Sequence, residues 1–361
     1  MKSKTRPKLF IPGPVHVDDT VLASMSNYPV GHRTEEFSGL YREVESGIQR
    51  ILFTRNRVFL ATCSGTGLME AAVRNTVRKR CANFICGAFS ERWHAITARS
   101  GLPCDPFRVE PGRAIKPEFV RDALRSGDYD VATVVHNETS TGVMNPIDLI
   151  AETVRDFPGV LLLVDMVSSM AAVKVEVDAL GIDVALASVQ KGWALPPGFS
   201  VCSVSSRALE RSLEATGKGY YFDFQIMEKY ARKAQTPTTP SLPHLYALRT
   251  QLNRIGREGL ENRFSRHREM ARCARSWASR RFRLFAEKGY ESDTVTCVKN
   301  NRAIKTSRFL LRLLDKGYRI SGGYGPLKDT TFRIAHMGDV QMSDLEELLT
   351  VMDSVLDEMT P

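Results

Sequence analysis

The chain has 361 residues, of which 43% are hydrophobic and 25% charged, the composition of a soluble globular protein with one large domain and one smaller domain. Its formal net charge is +9, but acidic residues are interleaved with the basic ones, which argues against a nucleic-acid-binding surface. Seven scattered cysteines form no C-x-x-C pair, and no apolar run reaches the length of a signal peptide or a membrane span. We therefore expect a cytoplasmic protein without a structural metal, a disulfide framework or membrane contact.

The first unit with a clear pattern is VFLATCSGTGLMEAAVRNTVRK (58–79), which predicts a strand, a glycine-containing turn and a long amphipathic helix. Ser64, Gly65 and Thr66 come at the start of that helix. Free backbone N–H groups and the helix dipole favour an anion at this position, and the two hydroxyls add hydrogen-bond donors. The turn is therefore a candidate phosphate site, although plain N-capping explains Ser64 or Thr66 taken singly.

Three short apolar runs in the central half predict buried strands: VATVVHNE (131–138), VLLLVDM (160–166) and VALASVQK (184–191). Between the first two, PIDLIAETVRDF (146–157) begins with proline and repeats apolar residues at helical spacing, as expected for the crossover of a βαβ unit. The central half is therefore predicted to be an α/β domain with a mostly parallel sheet.

A Thr/Pro cluster, QTPTTPSLP (235–243), and an arginine-rich helical stretch (244–287) indicate the passage to a second domain. The segments SDTVTCVKN, YRISGGYG and TTFRIAHMG, a helix near 303–316 and a closing helix predict a smaller α+β unit. We predict an N-terminal segment, 1–20, that packs on the small domain or on a partner, a large domain, 21–245, and a linking helix with the small C-terminal domain, 246–361.

Asp165 and Lys191 are each predicted at the carboxyl end of an apolar strand, where open α/β sheets bind their ligands. A lysine amine at that edge forms an imine with an aldehyde cofactor if it is partly desolvated. A nearby carboxylate pairs with a protonated pyridine nitrogen and makes the ring an electron sink. Taken singly, Asp165 is explained as a capping or salt-bridged carboxylate and Lys191 as a surface lysine. Together with the phosphate turn, they predict one cofactor crevice.

Nine motifs run through nearly the whole chain: FIPGPVHVDDTVLASM (10–25), GHRTEEFSGLY (31–41), SGTGLMEAAV (64–73), GAFSERW (87–93), HNETSTGV (136–143), VDMVSS (164–169), SVQKGWALPPG (188–198), TPTTPSLPHLYAL (236–248) and GPLKDTTFRIAHMGD (325–339). Their order and spacing resemble the class V, fold-type I aminotransferases that depend on pyridoxal 5′-phosphate, and among them the alanine-glyoxylate and serine-pyruvate branch. The resemblance implies a large domain with a mostly parallel seven-stranded sheet flanked by helices, and a smaller α+β C-terminal domain. It also implies ping-pong transfer of an amino group from alanine or serine to glyoxylate or pyruvate.

The resemblance assigns the central roles to four residues. Lys191 would carry the cofactor as a Schiff base and, once freed, act as the general base that moves the proton between the donor Cα and the cofactor C4′. Asp165 would hold the pyridine nitrogen, while Val167 and Phe89 would pack on the two faces of the ring. A buried core aromatic is the alternative for Phe89.

The resemblance also implies contacts around the edge of the cofactor. Thr139 or Ser140 would hydrogen-bond O3′ or the atoms on the substrate-carboxylate side, with capping as the alternative for Thr139. Gln190 would contact the phosphate beside Gly65 and Thr66.

Two further contacts complete the implied site. Thr238 or Thr239 would reach the cofactor phosphate of a neighbouring subunit, which implies a homodimer with shared sites. Arg333 would bind the substrate α-carboxylate, for which the planar guanidinium fork is suited, and a strand-end salt bridge is its alternative.

Other functions remain open at this point. His32 and Arg33 also resemble a pair in phosphoserine aminotransferases that contacts the substrate phosphate from the partner subunit, and the pair could equally be structural in a dimer. A lyase or desulfurase of the same fold ranks lower, because desulfurases usually carry a histidine before the Schiff-base lysine and Gln190 stands here. A noncatalytic nucleic-acid binder that uses the arginine-rich segment would leave Asp165 and Lys191 unexplained.

Overall fold

The computed structural model describes residues 6–302 and 304–359. Three parts of the predicted units lie outside the described residues: residues 1–5 of the N-terminal segment, Ala303 of the predicted helix 303–316, and residues 360–361 of the C-terminal domain.

The strands lie in two main sheets and one hairpin. In chain order they are β1 (Lys8–Phe10), β2 (Arg57–Ala61), β3 (Cys81–Ile85), β4 (Cys104–Arg108), β5 (Val131–Val135), β6 (Asn137–Glu138), β7 (Val143–Met144), β8 (Leu161–Asp165), β9 (Val184–Ser188), β10 (Ser200–Val204), β11 (Arg283–Leu284), β12 (Val295–Lys299), β13 (Tyr318–Gly322) and β14 (Thr331–Ala335).

The helices connect and cover these strands. They are α1 (Asp19–Ser24), α2 (Glu35–Leu52), α3 (Gly65–Thr76), α4 (Ala88–Arg99), α5 (Pro117–Arg125), α6 (Ile147–Arg155), α7 (Val177–Leu180), α8 (Ser206–Leu213), α9 (Phe224–Ala231), α10 (Leu242–Glu258), α11 (Leu260–Arg281), α12 (Thr306–Asp315) and α13 (Met342–Met359), with a 3₁₀ turn at Gly325–Leu327. Within the described ranges, no helix combines the length and the apolar composition that a bilayer crossing needs.

The large sheet confirms the predicted α/β fold. Its seven strands follow the order β2-β10-β9-β8-β5-β3-β4, and only β10 runs antiparallel to its neighbours. All five residues of β3, β5, β8 and β9 are buried, because helices cover both faces of a parallel sheet. The carboxyl ends of β2, β5, β8 and β9 therefore meet at one edge.

The second sheet has its own hydrophobic core. Its strand order is β1-β13-β14-β12-β11, and helices α11, α12 and α13 pack with it around buried residues such as Phe309, Phe332 and Met352. The N-terminal strand β1 pairs in parallel with β13, so this part of the N-terminal segment joins the small sheet. The boundaries at residues 20 and 245 stay predictions.

Two predicted elements have different limits in the structure. The helical stretch 244–287 is divided at Gly259, whose φ of +82° lies in the region that glycine favours, and it ends at Arg281 before the short strand β11. The predicted strand 184–191 ends at Ser188, because the chain turns and Ala194 N donates to the carbonyl of Lys191. Lys191 therefore lies on the turn after β9.

The buried side chain of Arg263 fastens α11 to the large domain. Its guanidinium donates to the carbonyls of Ala171 at 2.7 Å and Gly192 at 2.8 Å, and it forms ion pairs with Glu258 at 2.8 Å and Asp339 at 3.2 Å. A charge buried to this extent is stable only while its partners are present. Because Gly192 follows Lys191, this contact also fixes the turn that carries the lysine.

We expect Arg263→Ala to lower the free energy of unfolding by about 3–5 kcal/mol, because it leaves the buried carbonyls of Ala171 and Gly192 without this donor and removes one cation from Glu258 and Asp339. Arg268→Ala, an exposed position on the same helix, should change it by no more than about 0.5 kcal/mol. Urea unfolding followed by circular dichroism measures both, and equal midpoints for the two variants would contradict the structural role of Arg263.

Candidate active site

A cavity of about 220 Å³ lies at the carboxyl edge of the large sheet. Its lining residues are Gly13, Ser64, Gly65, Thr66, Met69, Phe89, Arg92, Asn137, Thr139, Asp165, Val167, Ser168, Ser188, Gln190 and Lys191. Nine residues singled out in the sequence are among them: Ser64, Gly65, Thr66, Phe89, Thr139, Asp165, Val167, Gln190 and Lys191. The structure thus brings together, in one cavity, residues that lie at or after the ends of five strands, β2, β3, β5, β8 and β9.

The start of α3 forms one wall of the cavity. Ser64 has the extended backbone of an N-cap residue, but its side chain makes no capping hydrogen bond, so capping does not occupy its hydroxyl. A Cβ atom on Gly65 would lie 3.0 Å from Val167 Cγ2 and 3.3 Å from Ser188 Cβ, which explains why glycine allows this close approach. The hydroxyls and the N-terminal N–H groups of α3 are therefore available to an anion.

Gln190 adds to the same wall. Its Oε1 accepts a hydrogen bond from Ser188 Oγ at 2.6 Å. This contact orients the side chain so that the NH₂ group, which has two donors, remains for a ligand. Ser188, which the sequence analysis did not select, thus determines how Gln190 is presented.

Asp165 is the last residue of β8 and is buried. Burial raises the pKa of its carboxyl to about 7, although the backbone N–H of Val167 donates to Oδ1 at 2.7 Å and lowers that pKa. A positive charge next to the carboxyl would favour its ionised form. The site therefore suits a cationic ring nitrogen.

Lys191 is buried on the turn after β9. Its Nζ donates to the carbonyl of Pro12, and a Cβ atom on Gly13 would lie 2.6 Å from its Cδ. Burial and the charge of Arg333 together lower the pKa of the amine to about 8, although the charge of Asp165 raises it. A larger fraction of this amine than of an ordinary lysine is therefore neutral near neutral pH, and the neutral amine is the form that attacks an aldehyde.

Phe89 and Val167 are half-buried and line the cavity, and neither belongs to the fully buried core. The Phe89 ring lies 5.3 Å from the ring of Tyr324, and the Arg92 guanidinium lies 4.9 Å from the Phe89 centroid. Phe89 therefore belongs to a small aromatic and cationic group at the cavity.

Thr139 and Ser140 have different environments although they are adjacent. Thr139 lines the cavity, and its hydroxyl hydrogen-bonds that of Ser168. Ser140 is buried behind it, donates to Glu138 Oε1 at 2.6 Å and accepts from Ala88 N at 3.0 Å. Of the two candidates for the cofactor contact, only Thr139 lines the cavity.

Arg333, in β14, is buried next to the cavity wall. Its Nε donates to the carbonyl of Gly322 at 3.1 Å and its Nη1 to that of Thr139 at 3.2 Å. Among the described residues no carboxylate forms an ion pair with it. The guanidinium is therefore held by backbone carbonyls and keeps its charge for a ligand.

Six predicted residues do not line the cavity of a single chain: Ser140 and Arg333 lie behind its wall, and the other four, His32, Arg33, Thr238 and Thr239, lie elsewhere. Arg33 donates to the carbonyls of Thr236 at 2.7 Å and Pro237 at 3.1 Å, and its neighbour His32 is half-buried. Thr238 and Thr239 are both exposed on the following loop.

Several lining residues were not predicted from the sequence, and the polar ones with the most direct relevance to a ligand are Arg92 and Asn137. Both lie within quoted motifs, GAFSERW and HNETSTGV, so the motifs contained the signal. Asn137 Nδ2 donates to Thr294 Oγ1 at 3.0 Å, but its buried Oδ1 has no partner. A buried acceptor without a donor is costly unless a ligand supplies one.

These groups fit pyridoxal 5′-phosphate. The cavity offers a partly neutral amine for the aldehyde, a buried carboxyl for the ring nitrogen, and a helix start with hydroxyls for the phosphate. The unpaired Asn137 Oδ1 is a further acceptor for a hydroxyl of the ligand.

Comparison with known proteins agrees with this chemistry. A family model described as "Aminotransferase class-V" matches residues 10–321. An uncharacterized aminotransferase of Methanocaldococcus jannaschii is 36% identical over 97% of this chain and 93% of its own length. A serine–glyoxylate aminotransferase of Methylorubrum extorquens is 32% identical over 93% of this chain and 87% of its own length.

Solved structures extend the comparison to the fold. The alanine–glyoxylate aminotransferase from Nostoc sp. superposes with a TM-score of 0.92 at 29% identity and covers 98% of this chain and 96% of its own. A phosphoserine aminotransferase from Cytophaga hutchinsonii is more distant, at 24% identity and a TM-score of 0.89, and shows the fold alone. The chain belongs to the class V aminotransferase family, with the fold-type I architecture, and is an aminotransferase whose cofactor is pyridoxal 5′-phosphate.

Proposed function

We propose that the protein transfers an amino group from a small amino acid, alanine or serine, to a 2-oxo acid, glyoxylate or pyruvate. The observation that carries this proposal is the buried Lys191 amine, which has a pKa of about 8 and lies in one cavity with Asp165. Arg333, which forms no ion pair with a described carboxylate, is hydrogen-bonded to the cavity residue Thr139. The names of the Methylorubrum and Nostoc relatives pair serine or alanine with glyoxylate.

Residues from two segments of the cavity wall would hold the cofactor phosphate. Ser64, Gly65 and Thr66 would bind the phosphate, with the NH₂ group of Gln190 beside them. When bound, pyridoxal phosphate supplies an electron sink that stabilises negative charge at the substrate Cα.

The ring would lie between the end of β8 and α4. Asp165 would pair with the ring nitrogen, and that pairing would restore the ionised carboxylate which burial disfavours. Val167 and Phe89 line the cavity and would flank the ring, while Thr139 would contact its polar edge.

Lys191 would perform the proton transfer. Its amine would hold the cofactor through the aldehyde carbon until the donor amine displaced it. The freed Nζ would then accept the proton from the donor Cα and return it at C4′ of the cofactor. A pKa of about 8 suits this double role, because the amine can both accept and return a proton near neutral pH.

Arg333 would bind the carboxylate that donor and acceptor share. Backbone carbonyls of Gly322 and Thr139 fix the guanidinium, and a carboxylate can then accept two parallel hydrogen bonds from it. Such an orientation places the donor Cα near Lys191.

The homodimer with shared sites also remains part of the proposal. Thr238 and Thr239 are exposed, and Tyr28, Tyr220 and Tyr221 expose 90%, 60% and 43% of their surface. Exposed large aromatic side chains are typical of residues that a partner covers. In such a dimer either threonine would reach the partner's phosphate site, and His32 and Arg33 would lie at the interface. The cytoplasmic location stays a prediction from the sequence.

We expect the purified protein to form glycine from glyoxylate when alanine or serine is the donor, and Lys191→Ala to abolish the reaction. Lys174→Ala, which removes an exposed lysine, should retain it. Amino acid analysis of the products measures the exchange. Reaction with phosphoserine alone would instead assign the chain to serine synthesis and make His32 and Arg33 substrate ligands.

Arg333→Gln should raise KM for the donor by about 10-fold to 100-fold, because it removes charged hydrogen bonds worth roughly 1.5–3 kcal/mol. Arg319→Gln, an exposed position on the neighbouring strand β13, is the matched control and should leave KM unchanged. Steady-state kinetics with circular dichroism of each variant tests this. An unchanged KM in a folded Arg333→Gln protein would remove the carboxylate role.

The rate at which the cofactor-free protein captures pyridoxal phosphate should rise with pH around a midpoint of about 8 and level off above it, because only the neutral Lys191 amine reacts. Arg333→Gln removes a charge that lowers this pKa and should move the midpoint up, whereas Asp165→Asn removes a charge that raises it and should move it down. Stopped-flow absorbance gives the midpoints. Shifts in the same direction for both variants would contradict this electrostatic account.

A further inference from the structure

Tyr324, on a loop of the small domain, contacts residues of the cavity wall. It follows β13 on the loop 323–330 and is 37% exposed. Its ring lies 5.3 Å from the ring of Phe89, and its hydroxyl accepts a hydrogen bond from Arg92 Nη2 at 3.0 Å. The guanidinium of Arg333 lies 5.7 Å from the same ring. One side chain of the small domain thus contacts three groups of the site.

The backbone fixes the position of Tyr324. Gly323 N donates to the carbonyl of Thr331 at 2.8 Å, and Leu327 N donates to the carbonyl of Tyr324 at 3.1 Å. Backbone and side-chain atoms of Leu327 and Thr331 leave no room for a Cβ atom on Gly323. The loop is therefore a closed turn that presents Tyr324 in one place.

Arg92 contacts both Phe89 and Tyr324. Its guanidinium lies over the Phe89 ring and donates to Tyr324, and among the described residues it forms no ion pair with a carboxylate. A long, unpaired arginine side chain has many rotamers, so a single hydrogen bond to a fixed partner restricts it substantially. Tyr324 therefore supports Phe89 through its ring and Arg92 through its hydroxyl.

These two residues are also part of the cavity wall. The cavity measures about 220 Å³, which is below the roughly 300–1,000 Å³ of common ligand clefts. Once a cofactor occupies it, little space remains for a substrate side chain. Movement of Phe89 and Arg92 away from the cavity would enlarge it, and Tyr324 contacts both residues.

We infer that Tyr324 is a positioning residue that limits the size of the substrate. Its ring keeps Phe89, and with it the Arg92 guanidinium that lies over the Phe89 ring, close to the cavity, so that only a carboxylate with a small substituent fits beside Arg333. This inference rests on the proposed function, since it assigns the preference for small donors to one side chain of the small domain.

The test measures binding without turnover. The holoenzyme is titrated with acetate and with trimethylacetate, two carboxylates that cannot donate an amino group, and the dissociation constants are obtained by isothermal titration calorimetry. We expect trimethylacetate to bind the unmodified protein at least about tenfold more weakly than acetate, because excess apolar bulk in a closed pocket is penalised to that extent. In Tyr324→Ala the two constants should differ by less than about threefold.

Two further variants separate the ring from a general structural effect. Tyr324→Phe keeps the ring against Phe89 and should retain the discrimination, while Lys328→Ala, an exposed residue of the same loop, should behave like the unmodified protein. Unchanged discrimination in Tyr324→Ala, or its loss in Tyr324→Phe, would overturn the inference. Because neither carboxylate reacts, failure of the alanine and glyoxylate exchange would reject the proposed function without changing this result.

Discussion

The burial of Asp165 and Lys191 in one cavity is the constraint on which the rest of the site depends. Neither forms an ion pair with the other, and burial moves both pKa values toward the neutral forms, to about 7 and about 8. Two such groups destabilise a folded chain unless a ligand offsets the loss of hydration. A cofactor with a basic ring nitrogen and an aldehyde would offset this loss at both residues. The folded site should therefore be more stable with the cofactor bound than without it.

The parallel sheet explains how much of this arrangement the sequence could predict. A strand covered on both faces gives a continuous apolar run, so Asp165 could be placed at the end of β8 from LLLVD alone. Lys191 was predicted on the same strand edge but lies on the following turn, because the apolar residue Val189 extends the pattern beyond the last paired residue, Ser188.

Contacts between distant segments left no signal in any local pattern. Pro12 and Gly13 touch Lys191 from the N-terminal segment, and neither periodicity nor spacing predicts a contact between such distant residues. Thr238 and Thr239 illustrate a second limit, since a single chain leaves both on the surface. These threonines can contribute to a cofactor site only when a second copy of the chain packs against this surface.

Glu138 shows that a residue outside the cavity can determine its shape. Its buried carboxylate accepts from the backbone N–H groups of Phe89 at 3.2 Å and Ser90 at 3.0 Å, and from both donors of Ser140. An acid at a helix start satisfies free N–H groups and complements the helix dipole. The start of α4 is thereby fixed to the β6–β7 hairpin. Glu138 thus fixes the backbone of Phe89, whose side chain lines the cavity, and the ring of Tyr324 contacts that side chain. Through this contact the small domain can influence substrate binding at a wall that the large domain forms.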